Sequence, residues 1–121
     1  MLKQIILLCC LCGALAQKYH TLNDDYDEDA ALIKRPGLLK KQFDCFLDKG
    51  PCTPVWDSYK KYVPEAVERS CDKCLPNQEH EFKKFLAEGK RTLPDMYDAF
   101  RARYDPQGKY WPKLEVELQK Y

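Results

Sequence analysis

Cys45-Phe46-Leu47-Asp48-Lys49-Gly50-Pro51-Cys52-Thr53-Pro54 is the stretch on which the fold turns. Upstream of it, Leu38, Leu39, Gln42, Phe43, Phe46 and Leu47 fall at helical spacing, so the chain reaches Cys45 along one face of an amphipathic helix. Gly50-Pro51 ends that helix, because proline has no N–H to donate and glycine favours the non-helical exit. Thr53 then offers a hydroxyl as N-cap, and Pro54 brings a preset φ to the first helical position. The stretch reads as helix, tight turn, helix, with a cysteine on each side of the turn.

The same alternation of apolar stripe and breaker continues outward. Trp56, Tyr59 and Val63 carry one helical face, Pro64 kinks or restarts it, and Ala66 and Val67 lead to Cys71. Pro76-Asn77 opens a helix with Phe82, Phe85 and Leu86 on one side, and Gly89 is expected to weaken its end. Thr92 with Pro94 and Asp95 opens another, in which Leu93, Met96, Tyr97, Phe100 and Tyr104 follow i, i+3, i+4, i+7, i+11 spacing. Asp105-Pro106-Gln107-Gly108 is a turn, and Trp111, Leu114, Leu118 and Tyr121 line a last helix. On the N-terminal side, Ala30 to Lys34 suggests a short helix ended by Pro36-Gly37. No period-two strand pattern, internal repeat or second-domain boundary interrupts the series. The expected fold is all-α, a compact bundle of about six short helices.

Residues 1–16 read as a secretory signal peptide: Lys3, an apolar run from Ile5 to Leu11, and the small-x-small pattern Ala14-Leu15-Ala16. Cleavage after Ala16 removes Cys9, Cys10 and Cys12, so seven cysteines become four. A secreted, extracellular setting turns those four into a disulfide framework, for which three pairings exist. Cys45–Cys52 and Cys71–Cys74 are favoured, because the Asp48 to Pro51 turn folds Cys52 back onto its partner and Cys71 and Cys74 share one helix junction. Such small rings contribute roughly 2–2.5 kcal/mol each, against about 3.5 for a bridge across the middle. They fasten junctions and leave the helices free to shift. A redox role for Cys71-Asp72-Lys73-Cys74 lacks a strand–helix–strand context. A four-cysteine zinc site is disfavoured by the wide first spacing and by secretion.

Charge narrows the partners. The processed chain loses only Lys3 among its charged residues, so its 19 acidic residues are matched one for one by Lys and Arg. Balanced charge argues against nucleic acid and against anionic membrane surfaces, and the leader's apolar run is too short to span a bilayer. Residues 17–29, with Asp24, Asp25, Asp27, Glu28 and Asp29, read as an acidic, mobile arm, leaving 30–121 as a single helical domain. The arm lacks the spacing, central Gly and final Glu of a calcium loop. His20 and His80 are the only histidines, one in the arm and one on a polar face beside Glu79 and Glu81. No catalytic motif, metal set or cofactor loop occurs, so the chain does not read as an enzyme.

The sequence resembles the insect chemosensory proteins, also called olfactory-segment-D or A10-like. The likeness rests on Leu38-Leu39, the Cys45 to Pro54 run, Val63-Pro64-Glu65-Ala66, Cys71-x-x-Cys74 with Lys73, and Tyr104-Asp105-Pro106-x-Gly108-Lys109-Tyr110. It covers residues 32–112 and implies six helices, disulfides between neighbouring cysteines, and an apolar channel that takes up long-chain fatty acids, alcohols, esters and similar semiochemicals such as odorants or pheromones. It implies no catalysis and no cofactor. The chain departs from that family at Gln42, where a pocket tyrosine is frequent, at Trp56, where glycine is usual, at Tyr97, where tryptophan is frequent, and at Gly89, which replaces an apolar residue.

These readings make the chain a monomeric carrier of small hydrophobic ligands. The expected lining is Gln42, Phe43, Phe46, Leu47, Val63, Val67, Phe82, Phe85, Leu86, Met96, Tyr97 and Phe100, with Gln42 and Tyr97 as polar anchors. Any of these stripe residues serves equally well as plain core. The alternative is a secreted developmental, salivary or venom-type factor acting through its surface, supported by the acidic arm and by an exposed Trp56.

Overall fold

Nearly every proline that follows an apolar run opens a helix. The computed structural model describes Lys18, Tyr19 and residues 37–120. Within them lie six helices: α1 (Leu38–Phe46), α2 (Pro54–Lys60), α3 (Val63–Glu68), α4 (Pro76–Thr92), α5 (Pro94–Tyr104) and α6 (Trp111–Leu118). From α2 onward each has proline at its first or second position, where the missing N–H costs no hydrogen bond. The leader, the helix expected at 30–34, His20, the acidic residues of 17–29 and Tyr121 lie outside the described residues.

Local chemistry explains the boundaries. Gly37 enters α1 with φ 93, a left-handed conformation that costs glycine nothing. The Thr53 hydroxyl accepts from the Trp56 N–H at 3.1 Å, as its position predicts. Pro64 restarts the chain as a separate α3. The Thr92 hydroxyl, expected to open α5, instead donates back to the Glu88 carbonyl at 2.7 Å. Asp105 closes the turn before α6: its carboxylate accepts from the N–H groups of Lys109, Tyr110 and Trp111 at 2.9, 3.1 and 2.9 Å. Two of these, from Tyr110 and Trp111, are donors that a helix start leaves unpaired.

Both disulfides join neighbours, Cys45–Cys52 with Cα atoms 4.9 Å apart and Cys71–Cys74 with Cα atoms 5.0 Å apart. The first loop is tied outward. Asp48 pairs with Lys60 of α2 and Arg103 of α5, whose ammonium and guanidinium hold its carboxyl below the ordinary carboxylate range, the Lys60 hydrogen bond most of all. The Tyr104 hydroxyl donates to the Phe46 carbonyl at 2.6 Å and fastens α5 to the same corner.

Phe43, Phe100, Trp111, Leu114, Val67 and Cys45 form the fully enclosed centre. Gly89 does not weaken α4, which runs on to Thr92. It is a contact point. A Cβ there would meet Phe43 Cζ at 2.3 Å, so only glycine lets α4 lie against that ring. Trp56, expected at the surface, is buried at 6 % exposure, because the α2 stripe turns it onto the core.

Candidate functional site

One side of this core is left open. A cleft of about 80 Å³ is walled by Gln42 and Phe46 of α1, Tyr59 of α2, Tyr62, Val63 and Ala66 at α3, Gln78, Glu81, Phe82 and Phe85 of α4, and Phe100 of α5. The Cys71–Cys74 disulfide and Tyr19 complete it. Its surface is overwhelmingly apolar and it opens to solvent on one side. The aromatic wall meets edge to face: Phe46 on Phe85 at 5.4 Å, Phe85 on Phe100 at 5.4 Å and Phe82 on Phe100 at 6.4 Å. Such edge-to-face contacts set the rings' orientation, because the positive ring edge meets the negative face. One water-sized group needs roughly 10–15 Å³ of such space. By that measure the cleft has room for roughly five to eight such groups.

The structure divides the twelve expected lining residues. Gln42, Phe46, Val63, Phe82, Phe85 and Phe100 stand together in the cleft. Phe43 lies behind it, stacked on Phe85 at 4.2 Å and enclosed. Leu47, Val67 and Leu86 are packed into the core outside the cleft wall. Met96 is half-buried on α5, away from it. Tyr97 is farther still in role. Its hydroxyl accepts from the Trp111 indole N–H at 3.1 Å and donates to Glu115 at 3.3 Å, which binds α5 to α6.

The residues that sequence reasoning missed fall into two groups. Tyr59, Tyr62 and Ala66 join the expected Val63 at i, i+3, i+4, i+7 spacing through α2 and α3, and Gln78 and Glu81 join the expected Phe82 and Phe85 at the same spacing in α4. Polar residues on an apolar stripe were the available signal. Tyr19 carried no local signal at all.

Tyr19 is 5 % exposed although it belongs to the stretch read as a mobile arm. Its ring stacks on Tyr62 with centroids 4.5 Å apart. Its N–H donates to the Lys73 carbonyl at 3.0 Å, and its carbonyl accepts from the Gln78 amide at 3.3 Å. Gln78 also accepts from the Leu75 N–H at 2.9 Å, so one side chain starts α4 and holds the arm. The neighbouring Lys18 ammonium donates to the Asp72 carbonyl at 3.2 Å. Burial, and then the carboxylates of Glu65 and Asp72, push the Tyr19 phenol up to about 12.

Charges flank this end of the cleft as closed pairs: Lys73 with Glu65 at 2.9 Å and Arg69 with Asp72 at 2.8 Å. The Arg69 hydrogen bonds hold the Asp72 carboxyl below its usual range. Among the described residues no group of three or more His, Cys, Asp or Glu side chains could hold a metal ion. No described helix is long and apolar enough to cross a membrane.

Comparison with known proteins agrees with this geometry. A family model described as "Insect pheromone-binding family, A10/OS-D" matches residues 19–112. Allergen Tha p 1 of Thaumetopoea pityocampa is 28 % identical over 117 residues, covering 95 % of this chain and 93 % of the relative. Ejaculatory bulb-specific protein 3 of Drosophila melanogaster is 30 % identical over 110 residues, covering 91 % and 86 %. A solved chemosensory protein in complex with bromo-dodecanol superposes with a TM-score of 0.71 at 26 % identity, covering 82 % of this chain and 98 % of that one.

Proposed function

The chain belongs to the insect pheromone-binding family A10/OS-D, and on that premise we propose that it is a secreted, monomeric, non-enzymatic carrier of long-chain alcohols, esters and fatty acids. The observation that carries this reading is the aromatic cleft, apolar on nearly all its surface and open at one side. Removing a hydrocarbon chain from water contributes about 0.8 kcal/mol per methylene. Ordering the ligand and separating the rings offset part of that. A twelve-carbon chain then reaches roughly micromolar affinity with few polar contacts. The solved relative holding bromo-dodecanol supports a ligand of that length. Each disulfide fastens only a junction, so neither bridge ties α1, α4 and α5 to one another across the cleft. The surface-factor alternative loses one support, since Trp56 is buried.

The test is displacement of N-phenyl-1-naphthylamine from the oxidised, processed protein by C12–C18 acids, alcohols and esters. Saturable displacement that strengthens with chain length is expected. A folded, disulfide-paired protein that binds neither the probe nor any of the panel overturns the carrier reading.

A further inference from the structure

The Tyr19 hydroxyl is the anomaly of the cleft. It is buried, and among the described residues it has no hydrogen-bond partner. A buried hydroxyl left unpaired is destabilising, and buried polar groups are paired as a rule. The residue is nevertheless held firmly, by two backbone hydrogen bonds and by the stack on Tyr62. The phenol is thus placed at the cleft wall by contacts that do not use its oxygen. The rest of the wall is almost wholly apolar.

We propose that Tyr19 is the specificity-determining residue of the cleft, its hydroxyl pairing with the oxygen of a neutral head group such as an alcohol or an ester. This rests on the carrier reading and narrows it. The surroundings select against an anionic head. Burial first, and then Glu65 and Asp72, hold the phenol protonated, so it remains a donor at any physiological pH. Glu81 stands in the cleft wall itself. The cations of this end are engaged already: Arg69 with Asp72, Lys73 with Glu65, and Lys18 with the Asp72 carbonyl. A carboxylate head gains no new counter-ion from these three engaged cations and must give up its hydration, whereas a hydroxyl or ester oxygen meets a donor that lacks only its acceptor among the described residues.

The experiment compares 1-dodecanol, sodium dodecanoate and 1-chlorododecane as displacers of N-phenyl-1-naphthylamine at neutral pH. The wild-type chain is expected to prefer dodecanol to chlorododecane, and to dodecanoate, by roughly fivefold, one neutral hydrogen bond's worth. In Tyr19→Phe the ratio of dodecanol to chlorododecane falls to near one. The ratio is read, so any general weakening of the cleft cancels. An unchanged ratio overturns the proposal and moves the head group to another polar wall residue, such as Gln42. A wild-type preference for dodecanoate overturns it as well. Tyrosine 13Cζ labelling of the wild-type chain gives a second readout, with the Tyr19 signal identified by its loss in Tyr19→Phe. That signal shifts with dodecanol and not with chlorododecane; equal shifts with both contradict the assignment. If no ligand displaces the probe from wild-type protein at all, it is the carrier reading that has failed.

Discussion

Tyr97 and Tyr19 are equally buried, each at 5 % exposure, yet they sit in opposite kinds of place. Tyr97 lies in a closed seam between α5 and α6, where its hydroxyl has a donor in Trp111 and an acceptor in Glu115. Tyr19 lies in the wall of a cleft, fastened through its backbone, with its hydroxyl unpaired among the described residues. On the closed side the Tyr97 hydroxyl joins two helices. On the open side the Tyr19 hydroxyl is left without a partner among the described residues. Stability and binding are thus divided between two sides of a small bundle, and the same side chain serves both.

That contrast can be broken most sharply from the closed side. Gly89→Ala drives a methyl group into the Phe43 ring, and the expected loss is about 2 kcal/mol in urea unfolding even after the gain in helix propensity. A variant as stable as wild type would mean that the Phe43 ring can move aside and that this half is not tightly closed. Tyr97→Phe is next. It leaves the buried Trp111 indole N–H without its acceptor, for an expected cost of about 1–1.5 kcal/mol. A neutral result would place Tyr97 with Tyr19 and erase the distinction between the two sides.

The same substitution in the cleft wall has the smallest effect and sharpens the comparison. Tyr19→Phe removes a hydroxyl that pairs with nothing described, so stability should stay within about 0.5 kcal/mol of wild type or rise slightly. Its signature is alkaline. The folded phenol, pushed to about 12, titrates above the ordinary value of about 10. Its neutral form therefore contributes stability that is complete below about pH 10 and is lost as pH rises toward about 12, because the unfolded chain ionises first. Chemical denaturation across that window should show a decline that Tyr19→Phe reduces. An identical decline in both proteins would place the Tyr19 hydroxyl in water.

Much of this architecture was written in local chemistry. The spacing of Leu38 to Leu47, the Gly50-Pro51 stop and the Thr53-Pro54 start each act within a few residues, so helix positions and the two neighbouring disulfides were legible without a fold. The cleft was only half legible. A helical stripe says which side chains face inward, and Phe43, Leu47, Val67 and Leu86 do face inward. It does not say which of them end at a void. Gly89 read as a weak point because its partner, Phe43, lies far away in sequence.

The sequence by itself determined six helices among the described residues, their junction disulfides and a wholly helical core, because those follow from proline, glycine and periodicity acting over short range. Tertiary structure alone decided that Tyr19 closes one wall of the cleft while Tyr97 seals a seam. A hydroxyl's role depends on which distant groups arrive beside it, and those partners come together only when the helices pack.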